Sequence, residues 1–473
     1  MSNPVQIKRI PTTSLQANAL SLFDTIALAI SGTAPSYTLN ATTATLMAAV
    51  GLAAPAAILL GAIPMFGIAF AFKHLNRWRT DAGAAYAWVG RSINPYLGFL
   101  CAWTFLVLST AFIVAASLPV GVMTLSLIAP AYQENVAWAT LIAAIWFVGV
   151  AIMTFLGVKL TAQVQRIRTA IEAIALVVLS IGALVKFSAN PVNPFSWSWF
   201  SPTAFGNGST FMAGMLIAVF YYFGWDVSSN VAEETQNSKD VPGNSGLMGM
   251  IGIVALFLLV QVGLQMGLSA EMVEKNGAAL LPAFGDAVLP APWGRIALLA
   301  ALLSTVGTLE TQITQSVRLL FSMGRDRVIH AKFEEIHPRF KTPWLAGWVV
   351  TGLGLGLMVL SSASESIGAL MESLISAIGV MVAFYYGLSG LACAWYYRRT
   401  LGKSRKTLVT QGIWPVASAV FLLILAAMQL PQLGLTVALY TVVSIALGLI
   451  PMLYYRKRYN SSFYRSPAEY KRP

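Results

Sequence analysis

The sequence has little charge and few of the residues that bind metals or form disulfides. Charged residues make up 10% of its 473 positions, whereas soluble domains carry about 25%. It contains two cysteines and three histidines, and their spacing matches neither a metal site nor a disulfide framework. These shortages exclude a soluble multidomain protein and a disulfide-stabilised secreted domain, and no metal or cofactor is expected.

Hydrophobic residues account for 57% of the sequence, and they recur in runs of about 20 residues, long enough to cross a hydrocarbon core of about 30 Å as an α-helix. The runs predict an all-α polytopic membrane protein with about twelve transmembrane helices, which we call spans one to twelve. Their expected bounds are about 20–48, 53–73, 96–126, 136–156, 160–187, 209–232, 244–269, 294–321, 344–362, 366–397, 411–430 and 434–455.

The positions of the basic residues predict how the chain is oriented. Lysine and arginine outnumber the acids 30 to 18, a balance that nucleic-acid binding proteins also show. Only Lys186, Lys275 and Arg295 fall on the side of the connectors that join an odd span to the next even one. This bias follows the positive-inside rule and predicts that both termini are cytoplasmic, with the protein in the plasma (inner) membrane. The expected surroundings are therefore a lipid bilayer, and no nucleic-acid partner is expected.

Two of the predicted spans carry a sequence that should interrupt a helix. The first contains SGTAPS at positions 31–36, and the sixth contains FGWD at positions 223–226. Proline removes a backbone donor, and freed backbone groups survive at membrane depth only inside protein or beside a cavity. Matched interruptions point to an inverted-repeat transporter with a site near the midplane. The alternative is that glycine and proline are simply common in membrane helices.

Four further motifs, in order along the chain, resemble those of the amino acid–polyamine–organocation permease family over residues 15–460. The resemblance implies alternating access and a five-plus-five inverted repeat within residues 16–397, with spans eleven and twelve in 398–456. Residues 1–15 and 457–473 would be cytoplasmic tails. The motifs are TDAGAAYAWVGRSINPYLGFLCAW (80–103), FLGVKLTAQVQ (155–165), GWDVSSNVAEE (224–234) and SVRLLFSMGRDRVIH (316–330).

The resemblance also implies a substrate site between the two interruptions. In the first span, backbone N–H groups would receive a substrate carboxylate, although Thr33 and Pro35 replace the more open glycine-rich loop of the family. In the sixth span, backbone carbonyls would receive a substrate amine, and Phe220 matches the family's occluding aromatic. The alternative for Phe220 is simple packing between helices. The implied groups belong to Ser31, Gly32, Thr33, Ala34, Phe220, Phe223 and Gly224.

Three of the acids inside predicted spans are candidate site residues, with Arg168 as the basic residue near them. Asp226 lies beside the sixth-span interruption, and Glu310 lies near the middle of the eighth span without an obvious basic partner. Glu172 stands where many family members carry a lysine, and the alternative is an ion pair with Arg168 one turn away. The alternative role of Asp226 is in helix packing or proton transfer. Buried negative charge predicts neutralisation by a cationic substrate or by a proton.

These observations predict a secondary active transporter for amino acids or amines, either proton-coupled or an exchanger. The acids favour a cationic substrate such as a polyamine, and a neutral amino acid is the alternative. Hydroxyls of Ser304, Thr305 and Thr308 also allow sodium coupling, with the proton favoured. Asp226, Glu172, Phe220 and Thr308 are therefore expected to act in coupling or gating. Nothing in the sequence indicates a catalytic motif or a selectivity filter, so an enzyme or a channel is not expected.

Overall fold

The computed structural model describes residues 14–133, 135–362 and 367–465, and it describes no side chain for residues 278 and 367–372. The regular secondary structure of these residues is entirely helical. The spans, in order, are Leu22–Thr33 with Pro35–Val50, Ala54–Trp78, Pro95–Ile128, Val136–Phe155, Val158–Phe187, Gly208–Phe220 with Val227–Asn230, Val241–Gly267, Ile296–Arg325, Trp344–Ser361, Ile367–Tyr397, Trp414–Gln429, and Gly434–Ala446 with Leu449–Tyr459.

The number of spans agrees with the sequence. Nine described stretches are long and apolar enough to cross a membrane. Two of them, Leu22–Trp78 and Arg405–Tyr459, are interrupted and hold two crossings each, and the discontinuous sixth span completes the set. The molecule is thus an all-α polytopic membrane protein with the predicted twelve spans. Shorter helices that the sequence did not predict lie in two connectors, at Ala85–Ser92, Ala270–Asn276 and Leu280–Val288.

Both predicted interruptions are present. The first span changes direction at Ala34, which has a φ of +46°, and a helix resumes with Pro35 at its first position, where the missing N–H is not needed. The sixth span ends its first helix at Phe220 and resumes at Val227. Between them Gly224 has a φ of +103°, a conformation that glycine adopts without strain.

The two interruptions touch each other through their backbones. A methyl group added to Gly32 would overlap the carbonyl oxygen of Gly224, and one added to Gly224 would overlap the carbonyl oxygen of Gly32. Only glycine fits at either position, because the two chains approach without intervening side chains. This contact fixes the two discontinuous spans at the same depth in the molecule.

An aromatic cluster packs around the sixth-span interruption, whereas the first half of the twelfth span, Gly434–Ala446, is largely exposed. The Phe72 ring contacts the Trp225 ring at a centroid distance of 5.2 Å, and Trp225 stacks on Tyr386 at 5.8 Å. In contrast, Leu435 and Tyr440 of the twelfth span are 77% and 72% exposed. Apolar side chains exposed along a membrane-spanning helix face lipid. The sixth-span interruption therefore lies in the interior of the helix bundle, and the first half of the twelfth span lies at its surface.

Candidate functional site

Hydrogen bonds tie the first-span interruption to the fifth and eighth spans. The Ser31 hydroxyl donates to Oε1 of Gln165 at 2.6 Å, and Nε2 of Gln165 donates to the Gly307 carbonyl at 2.8 Å. The Thr308 hydroxyl donates to the Gly32 carbonyl at 3.0 Å. Polar side chains thus satisfy backbone groups that the interruption leaves free, as a buried break in a helix requires. Gln165 was not among the predicted site residues, because its partners lie on other spans.

Glu172 accepts a hydrogen bond from the first backbone N–H of the second helix of the first span, Pro35–Val50. The Ser36 N–H donates to Oε1 of Glu172 at 2.8 Å, and the Tyr37 N–H donates to the Ser304 hydroxyl at 3.3 Å. The start of a helix carries partial positive charge and unsatisfied N–H groups, so it attracts an anion. Here the protein's own carboxylate, which is buried, supplies that anion.

Glu310 forms an ion pair with Arg168, so the expectation that it lacks a basic partner is wrong. The two side chains are 3% and 13% exposed. The alternative ion pair between Arg168 and Glu172 is not among the ion pairs of the described residues. Arg168 reaches across to the eighth span instead, a pairing between residues 142 positions apart that helical spacing cannot predict. Nε of Arg168 and Oε1 of Glu310 are buried without a hydrogen-bond partner in the described structure.

Asp226 is completely buried and accepts three hydrogen bonds. The hydroxyls of Tyr386 and Tyr385 donate to it at 2.8 and 3.0 Å, and Nε2 of Gln315 donates at 3.3 Å. The Tyr386 hydroxyl also accepts from the Gly224 N–H at 3.2 Å. Asp226 therefore joins the sixth span to the eighth and tenth, and its carboxylate is satisfied by neutral donors within the protein.

The remaining predicted site residues lie around the interruptions without forming one cluster. The Thr33 hydroxyl donates to the Ile30 carbonyl at 2.7 Å, and the Ala34 N–H donates to the Ser31 carbonyl at 3.1 Å. Phe223 meets Phe112 edge-on at 5.6 Å. Phe220 is 7% exposed, and it lines a cavity of about 10 Å³ formed with the tenth and eleventh spans, of which Gly379, Val382 and Leu425 are part.

Comparison with known proteins identifies the family. A sequence model described as "Amino acid permease" matches residues 20–453. The chain belongs to the amino acid permease family. The predicted resemblance to the amino acid–polyamine–organocation superfamily is thereby confirmed, and the permease is a transporter and not an enzyme.

Several curated relatives of the permease are similar over much of their length. The serine/threonine exchanger SteT of Bacillus subtilis is 22% identical over 73% of this chain and 76% of its own. The human b(0,+)-type amino acid transporter 1 is 24% identical over 81% of this chain and 76% of its own. The vacuolar cationic amino acid transporter 4 of Arabidopsis thaliana is 28% identical over 53% of this chain and 42% of its own. All three names describe amino acid transport.

Ion pairs of the permease join the eighth span to the segment that follows the sixth span. Nε and Nη2 of Arg318 donate to the two carboxylate oxygens of Glu234 at 2.5 and 3.0 Å. Their side chains are 4% and 0% exposed. Arg325 joins Glu233 at 2.8 Å and Asp81 at 3.2 Å. We call these five residues the ion-pair layer. Arg318 lies within the predicted eighth span, so its charge was a signal in the sequence that a partner such as Glu234 was needed.

Asp81 links this layer to the connector between the second and third spans. The Ser322 hydroxyl donates to its carboxylate at 2.6 Å, and Arg79 lies 3.3 Å away. Burial on its own raises the pKa of Asp81, but the guanidinium groups of Arg325 and Arg79 together with the Ser322 hydroxyl hold it below its usual value. Asp81 therefore stays ionised, and its negative charge holds the two arginines at the closed end of the permease.

Proposed function

We propose that the permease is a proton-coupled secondary active transporter of neutral, zwitterionic amino acids. The observation that supports this substrate class is that every acid expected to attract a cation already has a partner in the protein. Glu310 is paired with Arg168, Asp226 is hydrogen-bonded by two tyrosines, and Glu172 is bonded to the first span. A cationic substrate would have to break these contacts, so the argument for a cationic or polyamine substrate loses its support.

The two interruptions are suited to the two charged ends of a zwitterion. The N–H groups of residues 31–34 would receive the carboxylate, since a helix end favours negative charge. The carbonyls of Phe220, Phe223 and Gly224 would receive the amine. Substrate binding must separate the contact between Gly32 and Gly224, so it is coupled to a movement between the first and sixth spans. The name of one relative, a serine/threonine exchanger, supports a substrate of this kind, whereas the name of another describes cationic amino acid transport.

The proton would be carried by the buried group of charges beside the first span. Two carboxylates, Glu172 and Glu310, face one guanidinium, that of Arg168, so the ionised group has an excess of one negative charge. An uncompensated buried charge costs several kcal/mol, and one proton removes it. Because the Ser36 N–H binds Glu172, protonation weakens the contact between the fifth span and the outer half of the first. That link would couple the proton to the movement of the first span.

We also propose that the permease lies in the plasma membrane with both termini in the cytoplasm. The basic residues of the tails and of the connectors on that side support it through the positive-inside rule. The ion-pair layer is then a cytoplasmic gate, which is closed in this structure, and transport requires it to open and close in alternation with the outer side.

Uptake into proteoliposomes tests the proposal. The purified permease is reconstituted, and entry of labelled serine, leucine, lysine and putrescine is followed with no gradient, with an inward proton gradient and with an inward sodium gradient. We expect serine or leucine to accumulate with the proton gradient alone. Accumulation of lysine or putrescine without the neutral amino acids would contradict the substrate class, and dependence on sodium alone would contradict proton coupling. Vesicles without protein are the control.

A further inference from the structure

A basic cavity lies at the end of the twelfth span, away from the transport site. Asn460 ends the last helix in the left-handed conformation, with a φ of +44°, and turns the chain back on itself. The turn places a later arginine opposite the final turn of the helix and encloses about 360 Å³. The polar residues lining this cavity are Arg456, Lys457, Asn460, Ser461, Tyr464 and Arg465.

The cavity has positive charge and donors but no acid. None of its three basic residues takes part in an ion pair among the described residues. The guanidinium of Arg456 lies 5.1 Å from the centre of the Tyr96 ring, which fixes its position. The hydroxyl of Tyr464 is buried and has no hydrogen-bond partner in the described structure. The Tyr464 hydroxyl and the three exposed basic side chains, which form no ion pair among the described residues, together suit an acceptor with negative charge.

We propose that this cavity binds the phosphate headgroup of an anionic lipid. It follows directly on a lipid-facing helix, where Leu453 and Tyr454 are 47% and 53% exposed, so a headgroup reaches it while its acyl chains lie along the span. Basic clusters next to a span on the cytoplasmic side attract anionic lipid. The lipid assignment rests on the orientation proposed above, whereas binding of a phosphate rests on the cavity alone.

The segment that forms one wall of the cavity also contacts residues next to the ion-pair layer. Phe463 is 5% exposed and stacks on Tyr86 at 4.9 Å, and a side chain at Gly90 would overlap its ring. Tyr86 and Arg91 both bond the carboxylate of Asp326, at 3.1 and 2.6 Å, at the end of the eighth span. A bound headgroup therefore fixes a segment that packs against the closed gate, and it stabilises the cytoplasm-closed conformation.

The test compares the cavity with an equal number of charges elsewhere on the same side. One variant carries Arg456→Gln, Lys457→Gln and Arg465→Gln. The control carries three glutamines in place of exposed basic residues outside the cavity, Lys332, Arg339 and Lys403. Each full-length protein, in detergent, is titrated with short-chain phosphatidylglycerol, phosphatidylcholine or inorganic phosphate, and the unfolding temperature is recorded. Each basic residue is expected to contribute about fivefold to the affinity for an anionic lipid. We therefore expect the cavity variant to bind phosphatidylglycerol roughly a hundredfold more weakly and the control to bind it as the parent protein does.

A milder variant keeps the test valid if the triple variant folds poorly. Tyr464→Phe keeps the ring and removes only the hydroxyl, and we expect it to weaken phosphatidylglycerol binding by about tenfold, as for a hydrogen bond to a charged group. Equal weakening in the cavity variant and the control would overturn the site. If inorganic phosphate raises the unfolding temperature as much as phosphatidylglycerol does, the lipid assignment is wrong. Failure of amino acid uptake with lipid binding intact would affect only the proposed function.

Discussion

Breaking the buried pair between Arg318 and Glu234 should open the cytoplasmic side of the permease. Glu234→Gln keeps the shape of the side chain but leaves the Arg318 guanidinium, 4% exposed, without its counter-charge. Removing one partner of a buried ion pair costs about 3–5 kcal/mol. An open gate hydrates Arg318, so most of this cost falls on the closed conformation. Because about 1.4 kcal/mol is a factor of ten, the open fraction should rise roughly a hundredfold or more.

The open fraction is measured with a thiol reagent. Ser229 lies on the sixth span between the interruption and the ion-pair layer, and it is 1% exposed. Ser229→Cys is labelled in inside-out vesicles by a reagent that does not cross the membrane. The native Cys101 and Cys393 are both buried, and protein without the reporter gives their background. When opening and closing are fast, the labelling rate follows the open fraction, so it should rise by the same factor.

Two further variants test whether the unpaired charge of Arg318 is the cause of faster labelling. Arg327→Gln breaks an ion pair with Glu334 whose side chains are 45% and 29% exposed, and exposed pairs contribute only about 0–1 kcal/mol. It should leave labelling nearly unchanged. Replacing both Arg318 and Glu234 by methionine removes the two charges together and should return labelling close to the parent rate. If Glu234→Gln labels no faster than Arg327→Gln, the ion-pair layer does not hold the gate closed.

Four other substitutions give separate predictions. Gly224→Ala should abolish uptake, because the added methyl group overlaps the first span and the positive φ is strained for alanine. The control Gly206→Ala, also at positive φ but in open space, should keep uptake. Equal loss of uptake in both variants would refute the argument from the contact between Gly32 and Gly224. Phe220→Ala should slow uptake more than it weakens substrate binding, and unchanged uptake would assign Phe220 to packing. Glu172→Gln should keep exchange of labelled substrate but lose accumulation driven by a pH gradient; retained accumulation would exclude Glu172 as the proton carrier. Asp226→Asn should lower thermal stability by about 1–3 kcal/mol, since an amide cannot accept three hydrogen bonds as the carboxylate does, and wild-type stability would contradict this.

The fold was predictable because a bilayer demands long apolar helices with every backbone group satisfied. The third span, expected at 96–126, is Pro95–Ile128, and the fifth, expected at 160–187, is Val158–Phe187. Proline alone was a poor guide to interruptions, since Pro64 and Pro119 lie inside unbroken helices. The two true interruptions combine glycine with close backbone contact, and only the glycine is visible in a sequence.

The contacts of the acids were not predictable, because they join spans that are distant in the sequence. Periodicity tells which residues share a face of one helix, but it does not tell which helix that face meets. Arg168 and Glu310 therefore looked unrelated, and nothing in the tenth span marked Tyr385 and Tyr386 as partners of Asp226. The argument for a cationic substrate counted charges without their partners, so the cationic preference stays a prediction that the contacts of these acids do not support.

Glu172 is a tethered anion, and its effect is greatest when the permease is empty. A buried helix start with unsatisfied amides is costly, so a carrier that relied on its substrate for the acceptor would stay open to water until substrate arrived. In this structure the Ser36 N–H has an acceptor within the protein. The empty carrier can therefore close and return across the membrane. We expect vesicles without internal amino acid to fill as fast as preloaded ones exchange, and a strict requirement for preloading would contradict this view.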